Sequence, residues 1–293
     1  MGITLISKFQ ADLGLLAVTF FWGSTFIVSK IILEEVPLPV YLFLRLGIAA
    51  VVLDIAVMRY ARELDKKTLI HGTLLGVLLY FSYFFQMWGI QFTSASNAGF
   101  ITGLSVALVP IAGFVFFKFK PSITALIGVI FALAGLLLLT GANPLDWNKG
   151  DMLVFVCALA VTFHVIFTGR YAPQHNVYLL TAVQLSVLAL LTVFALPFSD
   201  FKWPQFTIKN ISVLVYLGIM GTVFTFLMQT AMQRYTTTTR TAVVFAMEPV
   251  FAALFAFVIA GEMLSASGWI GGLLIVFGMI SAELPMTLFQ KKQ

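Results

Sequence analysis

Long apolar runs follow one another along this chain, broken only by short polar stretches. A helix rising 1.5 Å per residue needs about 20 mostly apolar residues to cross roughly 30 Å of hydrocarbon. Reading for such runs predicts ten helices, at residues 11–33, 40–59, 69–91, 96–118, 122–141, 151–170, 177–199, 210–233, 238–260 and 265–288. Turn-forming residues punctuate them: Pro37 and Pro39, Pro121, the stretch 141–144, Pro173 and Pro204. The intervening loops are too short to hold a soluble domain, so residues 1–293 are expected as one membrane domain. The run 11–33 is too long for the apolar region of a signal peptide and lacks a small-x-small cleavage site. It is therefore expected as the first retained span.

Composition agrees with the pattern. Hydrophobic residues make up 60% of the chain and charged residues only 10%, against roughly 25% charged in a soluble domain. One water-facing core cannot hide that much apolar surface, whereas a bilayer can. The net charge of +5 says nothing about nucleic acid, because what matters is where the cations fall. With the amino terminus inside, the cytoplasmic segments hold twelve lysines and arginines, from Lys8 to Lys292. The opposite side holds three, Lys149, Lys202 and Lys209, while Lys30 and Arg45 lie inside spans. Basic residues accumulate on the cytoplasmic side, so both termini are expected there, in the cytoplasmic (inner) membrane. The lone Cys157 sits in an apolar run, which excludes disulfides and cysteine metal sites and reads as a small buried residue.

The chain also repeats itself. A shift of 143 residues aligns spans three to five with spans eight to ten without a gap. Phe81 meets Phe224, Gln86 meets Gln229, Thr93 meets Thr236, Ser122 meets Ser265, Gly128 meets Gly271 and Gly135 meets Gly278. Arg45 meets Gln184 at a nearby shift of 139. Chance apolar similarity matches leucine and valine; it does not pair glutamine, serine and glycine at one offset. Five helices per half is an odd number, so the second half must enter the membrane upside down. The expected fold is an all-α polytopic membrane protein of ten transmembrane helices, built as two inverted five-helix repeats at 11–141 and 151–288. Secondary transporters use this architecture and place their site near the midplane where the halves meet.

The same residues carry a family resemblance. Phe21-Trp22-Gly23-Ser24, Arg45, the stretch Thr93-Ser94-Ala95-Ser96-Asn97-Ala98-Gly99-Phe100, Met247-Glu248-Pro249-Val250-Phe251, Gly261-Glu262-Met263-Leu264-Ser265 and Gly271-Gly272 occur in order across the chain. In that order and spacing the chain resembles the EamA-type transporters of the drug/metabolite transporter superfamily. It departs from them after span four, where Lys118-Phe119-Lys120-Pro121 stands in place of the Gly-Glu-Arg common in the family. The resemblance implies a cavity lined by spans one, three, four, six, eight and nine, and export of amino acids or related metabolites, with an uptake permease or a drug or lipid-precursor exporter of the same fold as the alternative.

Polar residues at mid-depth are the candidates for the site. Glu248 lies about ten residues into span nine, where an unpaired carboxylate costs several kcal/mol. It either couples transport or binds a substrate amine, or stays protonated and bonded to a neighbouring helix. Pro249 and Pro110 each remove an amide, so spans nine and four should bend there, at different depths because the two prolines do not align. Arg45 lies within snorkelling reach of the outer surface and either holds an anionic group or braces helices. Trp22 and Thr25 share one face of span one, Tyr80 and Tyr83 one face of span three, and Ser105 completes the candidate lining. Gln86 and Gln229 suit gates or interhelical hydrogen bonds. His164 either carries a coupling proton or is a neutral histidine bonded within the bundle. Gly268-x-x-x-Gly272, with Gly128, Gly135, Gly271 and Gly278, should let spans five and ten pack closely; a dimer contact is the alternative.

The expected partners are a small-molecule substrate and membrane lipid, with no nucleic acid, a proton as candidate coupling ion, and a monomer or weak homodimer as the assembly. No cofactor, metal site or catalytic residue is expected. An intramembrane transferase would need carboxylate or histidine clusters. Here His71, His164 and His175 have no acidic partner at catalytic spacing, and no phosphate-binding glycine loop occurs. A channel would need a ring of charge or a carbonyl-rich loop, and neither is evident.

Overall fold

The computed structural model describes residues 6–93, 95–141, 148–193, 206–261 and 263–283, and among these residues there are helices and turns but no strand. The helices are α1 (Lys8–Leu33), α2 (Leu38–Val57), α3 (Lys66–Ile90), α4 (Ala95–Gly103), α5 (Ser105–Phe117), α6 (Ile123–Thr140) and α7 (Lys149–Tyr171). They continue with α8 (Val177–Val193), α9 (Ile208–Gly218), α10 (Thr225–Met232), α11 (Thr238–Phe245), α12 (Glu248–Ala260) and α13 (Ala266–Glu283). Local chemistry sets the ends. Ser7 and Asn148 form capping boxes at α1 and α7, and the Asp65, Ser122, Thr207 and Thr237 side chains cap α3, α6, α9 and α11. Glycines in the left-handed region close α6 at Gly141 (φ 61°) and α12 at Gly261 (φ 69°).

Eight helical segments among the described residues are long and apolar enough to cross a membrane, and Val177–Val193 and Ala266–Ala282 are shorter apolar helices. The last residues expected in spans seven and ten, 194–199 and 284–288, lie outside the described residues, as does Glu262. The distribution of polarity is inverted relative to a soluble protein. Ile130, Val258 and Leu273 face outward at 66–69% exposure, while Thr162, Thr181, Gln184, Thr222 and Thr225 are wholly buried. Hydrocarbon outside and hydroxyls and amides inside is the arrangement of a bundle solvated by lipid. The protein is a multi-pass membrane protein.

Two apolar segments are interrupted near their middles. Ala98–Phe117 breaks at Leu104 between α4 and α5, and Thr238–Ala260 breaks at Ala246–Met247 between α11 and α12. The expectation of bends at different depths is corrected here, because Leu104 and Met247 coincide at the 143 offset. Pro110 lies inside α5 and does not set the break. The interruption instead follows Gly103, whose missing side chain admits Leu136 of α6. In the second half Pro249 does sit at the joint, in the first turn of α12.

Other element bounds keep the same register. Ser105–Phe117 and Glu248–Ala260 match at both ends, as do Ile123–Thr140 and Ala266–Glu283. Lys118 takes the left-handed conformation (φ 57°) where the second half has Gly261. Helices α6 and α13 pack along their length through crossed glycine pairs. A Cβ on Gly128 would meet the Gly278 carbonyl at 2.6 Å, and one on Gly135 would meet the Gly271 carbonyl at 2.5 Å. Gly268 and Gly272 take no part: the nearest atom to a Cβ on Gly272 is Val250 at 3.9 Å. The packing glycines are therefore the four at the repeat offset.

Candidate functional site

The Gly23 position brings α1 against α12. A Cβ there would meet Phe251 Cβ at 2.5 Å and the Ala252 backbone nitrogen at 2.8 Å, so the small residue after Trp22 is what lets the two helices touch. Beside it, the Trp22 ring sits edge-on to Phe245, the last residue of α11, with centroids 5.1 Å apart, and edge-on to Phe226 of α10 at 5.5 Å. Trp22, Tyr80 and Tyr83 pack against one apolar cluster that also holds Leu79, Leu185 and Phe226. The three aromatic candidates from spans one and three are thus brought together. The Thr25 hydroxyl turns back to the Trp22 carbonyl, 2.8 Å away, and its methyl packs on Gly221.

Glu248 opens α12, directly after the break, midway along the Thr238–Ala260 segment. It is half-buried and lies within electrostatic reach of Tyr83 on α3 and Cys157 on α7. Its carboxylate has no hydrogen-bond partner among the described residues, in contrast to every buried acid elsewhere in this bundle. The α12 N-terminus favours a negative charge at this position. Cys157 is buried close to Thr102 and Ser82, and Gln86 donates to Thr102 at 3.3 Å. Small polar groups of α3, α4 and α7 therefore meet around the level of the two joints. Ser105 occupies the equivalent place to Glu248 as the first residue of α5.

Arg45 and His164 are placed away from that carboxylate. Arg45 is buried and does not snorkel: it donates to Tyr41 OH (2.7 Å), Thr222 Oγ1 (3.1 Å) and the Gly221 carbonyl (3.2 Å). Residues 219–224 form a single π-helical turn between α9 and α10, and such a turn leaves carbonyls without their usual partner. The arginine fork donates to one of them and so ties α2 to the π-turn. His164 shares a 3.0 Å hydrogen bond with Gln184 Oε1, and Gln184 donates to Thr230 at 3.2 Å. Because the Gln184 amide nitrogen is committed to Thr230, His164 Nε2 is the donor. Gln229 donates to Gln233, which donates to the Val165 carbonyl of α7.

Two further contacts were not anticipated from the sequence. Thr93, just after α3, donates to Asp151 at the start of α7. Thr236, just before α11, donates to Asp12 at the start of α1 at 2.8 Å, and Arg240 pairs with the other Asp12 oxygen at 2.7 Å. Asp12 and Asp151 stand at the 139 offset already set by Arg45 and Gln184. That matching pair of lone acids was the available signal.

A model described as the EamA-like transporter family matches the chain twice, over residues 9–141 and 148–282. An uncharacterized transporter of Archaeoglobus fulgidus is 31% identical over 286 residues, covering 97% of this chain and 89% of that protein. The uncharacterized transporter YoaV of Bacillus subtilis is 23% identical over 275 residues, covering 91% of this chain and 94% of its own. A crystal structure 19% identical to the chain superposes with a TM-score of 0.82 over 97% of this chain and 100% of the other, which shows a shared fold.

Proposed function

The chain belongs to the EamA-like transporter family, and from that premise we propose that it is a secondary transporter exporting amino acids or similar small metabolites across the inner membrane by alternating access. In this reading ten helices form two inverted five-helix repeats with both termini cytoplasmic. The crossed glycine contacts support the inversion. Gly128 meets the counterpart of Gly135, and Gly135 meets the counterpart of Gly128. A helix packing reciprocally and antiparallel on its own equivalent is the signature of a two-fold axis across the helices. For helices that cross a bilayer, that axis lies in the membrane plane.

The observation that carries the function is Glu248, an unpaired carboxylate at a helix break midway through the bundle. Broken helices whose half-helix ends point at the centre are where transporters bind solute. The two joints offer unlike chemistry. Glu248 supplies a counter-charge for an ammonium group or a site for a coupling proton. Ser105 supplies a hydroxyl at the start of α5, whose first turn has no side-chain cap and favours a carboxylate. Trp22, Tyr80 and Tyr83 supply an apolar wall.

The Thr–Asp contacts give the reading its gates. Five candidate spans separate Asp12 from Asp151, so in a five-helix repeat the two acids stand at opposite membrane faces. One contact closes each face. Uptake of a panel of isotope-labelled metabolites into proteoliposomes tests the proposal. Wild type should move at least one amino acid or related solute, and Glu248→Gln should abolish pH-driven accumulation if Glu248 carries the proton, or weaken binding at every pH if it holds an ammonium. Normal transport and binding by Glu248→Gln would remove this residue from the site.

A further inference from the structure

A cavity separate from the joints opens at the end of the bundle that holds the start of α1. Its volume is about 990 Å³, and it lies between the starts of α1, α6 and α11 and the ends of α5 and α7. Lys8, Lys120, Arg170 and Arg240 line it, and among the described residues no carboxylate does. Ser122 and Thr237, the caps of α6 and α11, also face it. Each cap satisfies only one or two of the four open amides of a helix start, so the remaining first-turn N–H groups add positive potential to that of the side chains.

One side chain in the lining points to a ligand more directly. Thr239 is 7% exposed, faces the cavity, and has no hydrogen-bond partner for its hydroxyl among the described residues. Thr239 stands in the first turn of α11, where no preceding helical turn offers its hydroxyl a carbonyl, whereas Thr241 reaches the Thr237 carbonyl at 3.1 Å. Arg240 pairs with Asp12, and Arg170 rests over the Phe117 ring at 5.7 Å. Neither contact involves Lys8 or Lys120, so among the described residues the cavity keeps a cationic excess after its internal pairs are counted.

We propose that this cavity binds a phosphate-type oxyanion, with Lys8, Lys120 and Arg170 as its charged ligands and Thr239 as a hydroxyl donor. The charge density suits a multivalent group, and the cavity is large enough for the organic part that carries it. Two sources share that chemistry: the headgroup of an anionic phospholipid and a soluble phosphate.

The purified full-length protein in an uncharged detergent provides the test. Binding of phosphatidylglycerol against phosphatidylcholine is read by native mass spectrometry, and inorganic phosphate against chloride at equal ionic strength by thermal unfolding. The double variant Lys120→Gln/Arg170→Gln should weaken the preferred anion by roughly 10-fold or more, since two charge-assisted contacts are lost. Arg59→Gln/Arg62→Gln, the same charge change outside the cavity, should leave affinity within about 2-fold. Thr239→Val should weaken binding several-fold while leaving the unfolding temperature without anion unchanged. Preference for the lipid alone assigns the headgroup, and preference for phosphate alone assigns a soluble ligand. Equal weakening by both double variants, or no preference for either anion, would overturn the site.

Discussion

The two helix joints share a frame and differ in chemistry. Leu104–Ser105 and Met247–Glu248 stand at one offset, and each begins a 13-residue helix ending in a left-handed residue. Yet one joint presents a hydroxyl and the other a carboxylate, with proline in only the second. The packing glycines and the Thr–Asp contacts are also matched across the halves, whereas the polar centres are not. Arg45 braces a π-turn in one half, and its counterpart Gln184 links His164 to Thr230 in the other. In the proposed mechanism, what repeats is what a two-way hinge needs, and what differs is what must recognise an asymmetric solute.

The largest way to break that comparison is to make the joints alike. Glu248→Ser should lower transport by roughly 100-fold or more, because the only central carboxylate among the described residues is removed. Ser105→Ala should lower it by only about 3- to 10-fold, the worth of one hydrogen bond. Initial rates in proteoliposomes compare the two, and equal losses would mean that the joints share one role.

The frame can be broken independently of the chemistry. A leucine at Gly271 would drive its Cβ to 2.4 Å from the Leu139 nitrogen and 2.5 Å from the Gly135 carbonyl. The backbone has no room to yield, and the cost should reach about 3 kcal/mol. Gly47→Ala meets nothing within 4 Å and should gain up to about 1 kcal/mol through helix propensity. Chemical unfolding in detergent measures both. Arg45→Lys comes next: it keeps the charge but loses the fork that spans Tyr41, Thr222 and the Gly221 carbonyl, at about 1–2 kcal/mol.

The smallest effect lies outside the bundle centre. His175 bonds His71 at 2.7 Å and Thr68 at 2.9 Å, near the start of α3. Burial and the neighbouring His71 hold His175 below the usual histidine value of 6.5. The folded state therefore binds fewer protons than the unfolded one. Its contribution to stability is full above pH 6.5 and is lost as pH falls toward the folded value. Thermal unfolding between pH 7.5 and 5 should show a drop that His175→Gln reduces.

Much of the frame was legible in the sequence. The hydropathy runs start or end within three residues of the helices wherever both are described, and the glycine, glutamine and threonine matches found the repeat register. The site was less legible. Hydropathy places Glu248 and Arg45 at a depth but cannot say what they meet, and only the tertiary structure shows Arg45 against Tyr41, Thr222 and the Gly221 carbonyl. The joint at Leu104 left no proline signal, because a glycine and a neighbouring leucine set it. Asp12 and Asp151 stood in view at a repeated offset, but each reads alone as an interfacial acid, and only tertiary contact makes it half of a pair.

The central claim is that these two acids hold opposite faces shut around one centre. Its most direct measurement uses a single reporter cysteine, Ser105→Cys in a Cys157→Ala background, and a membrane-impermeant thiol reagent applied from either side of oriented vesicles. Losing one hydrogen bond of about 1 kcal/mol should shift the balance of conformations roughly 5-fold. Thr236→Val should raise labelling from the face that holds the amino terminus and lower it from the other, and Thr93→Val should do the reverse. If either variant raises labelling from both faces together, or if neither moves it, the two contacts are not alternating gates and the account fails.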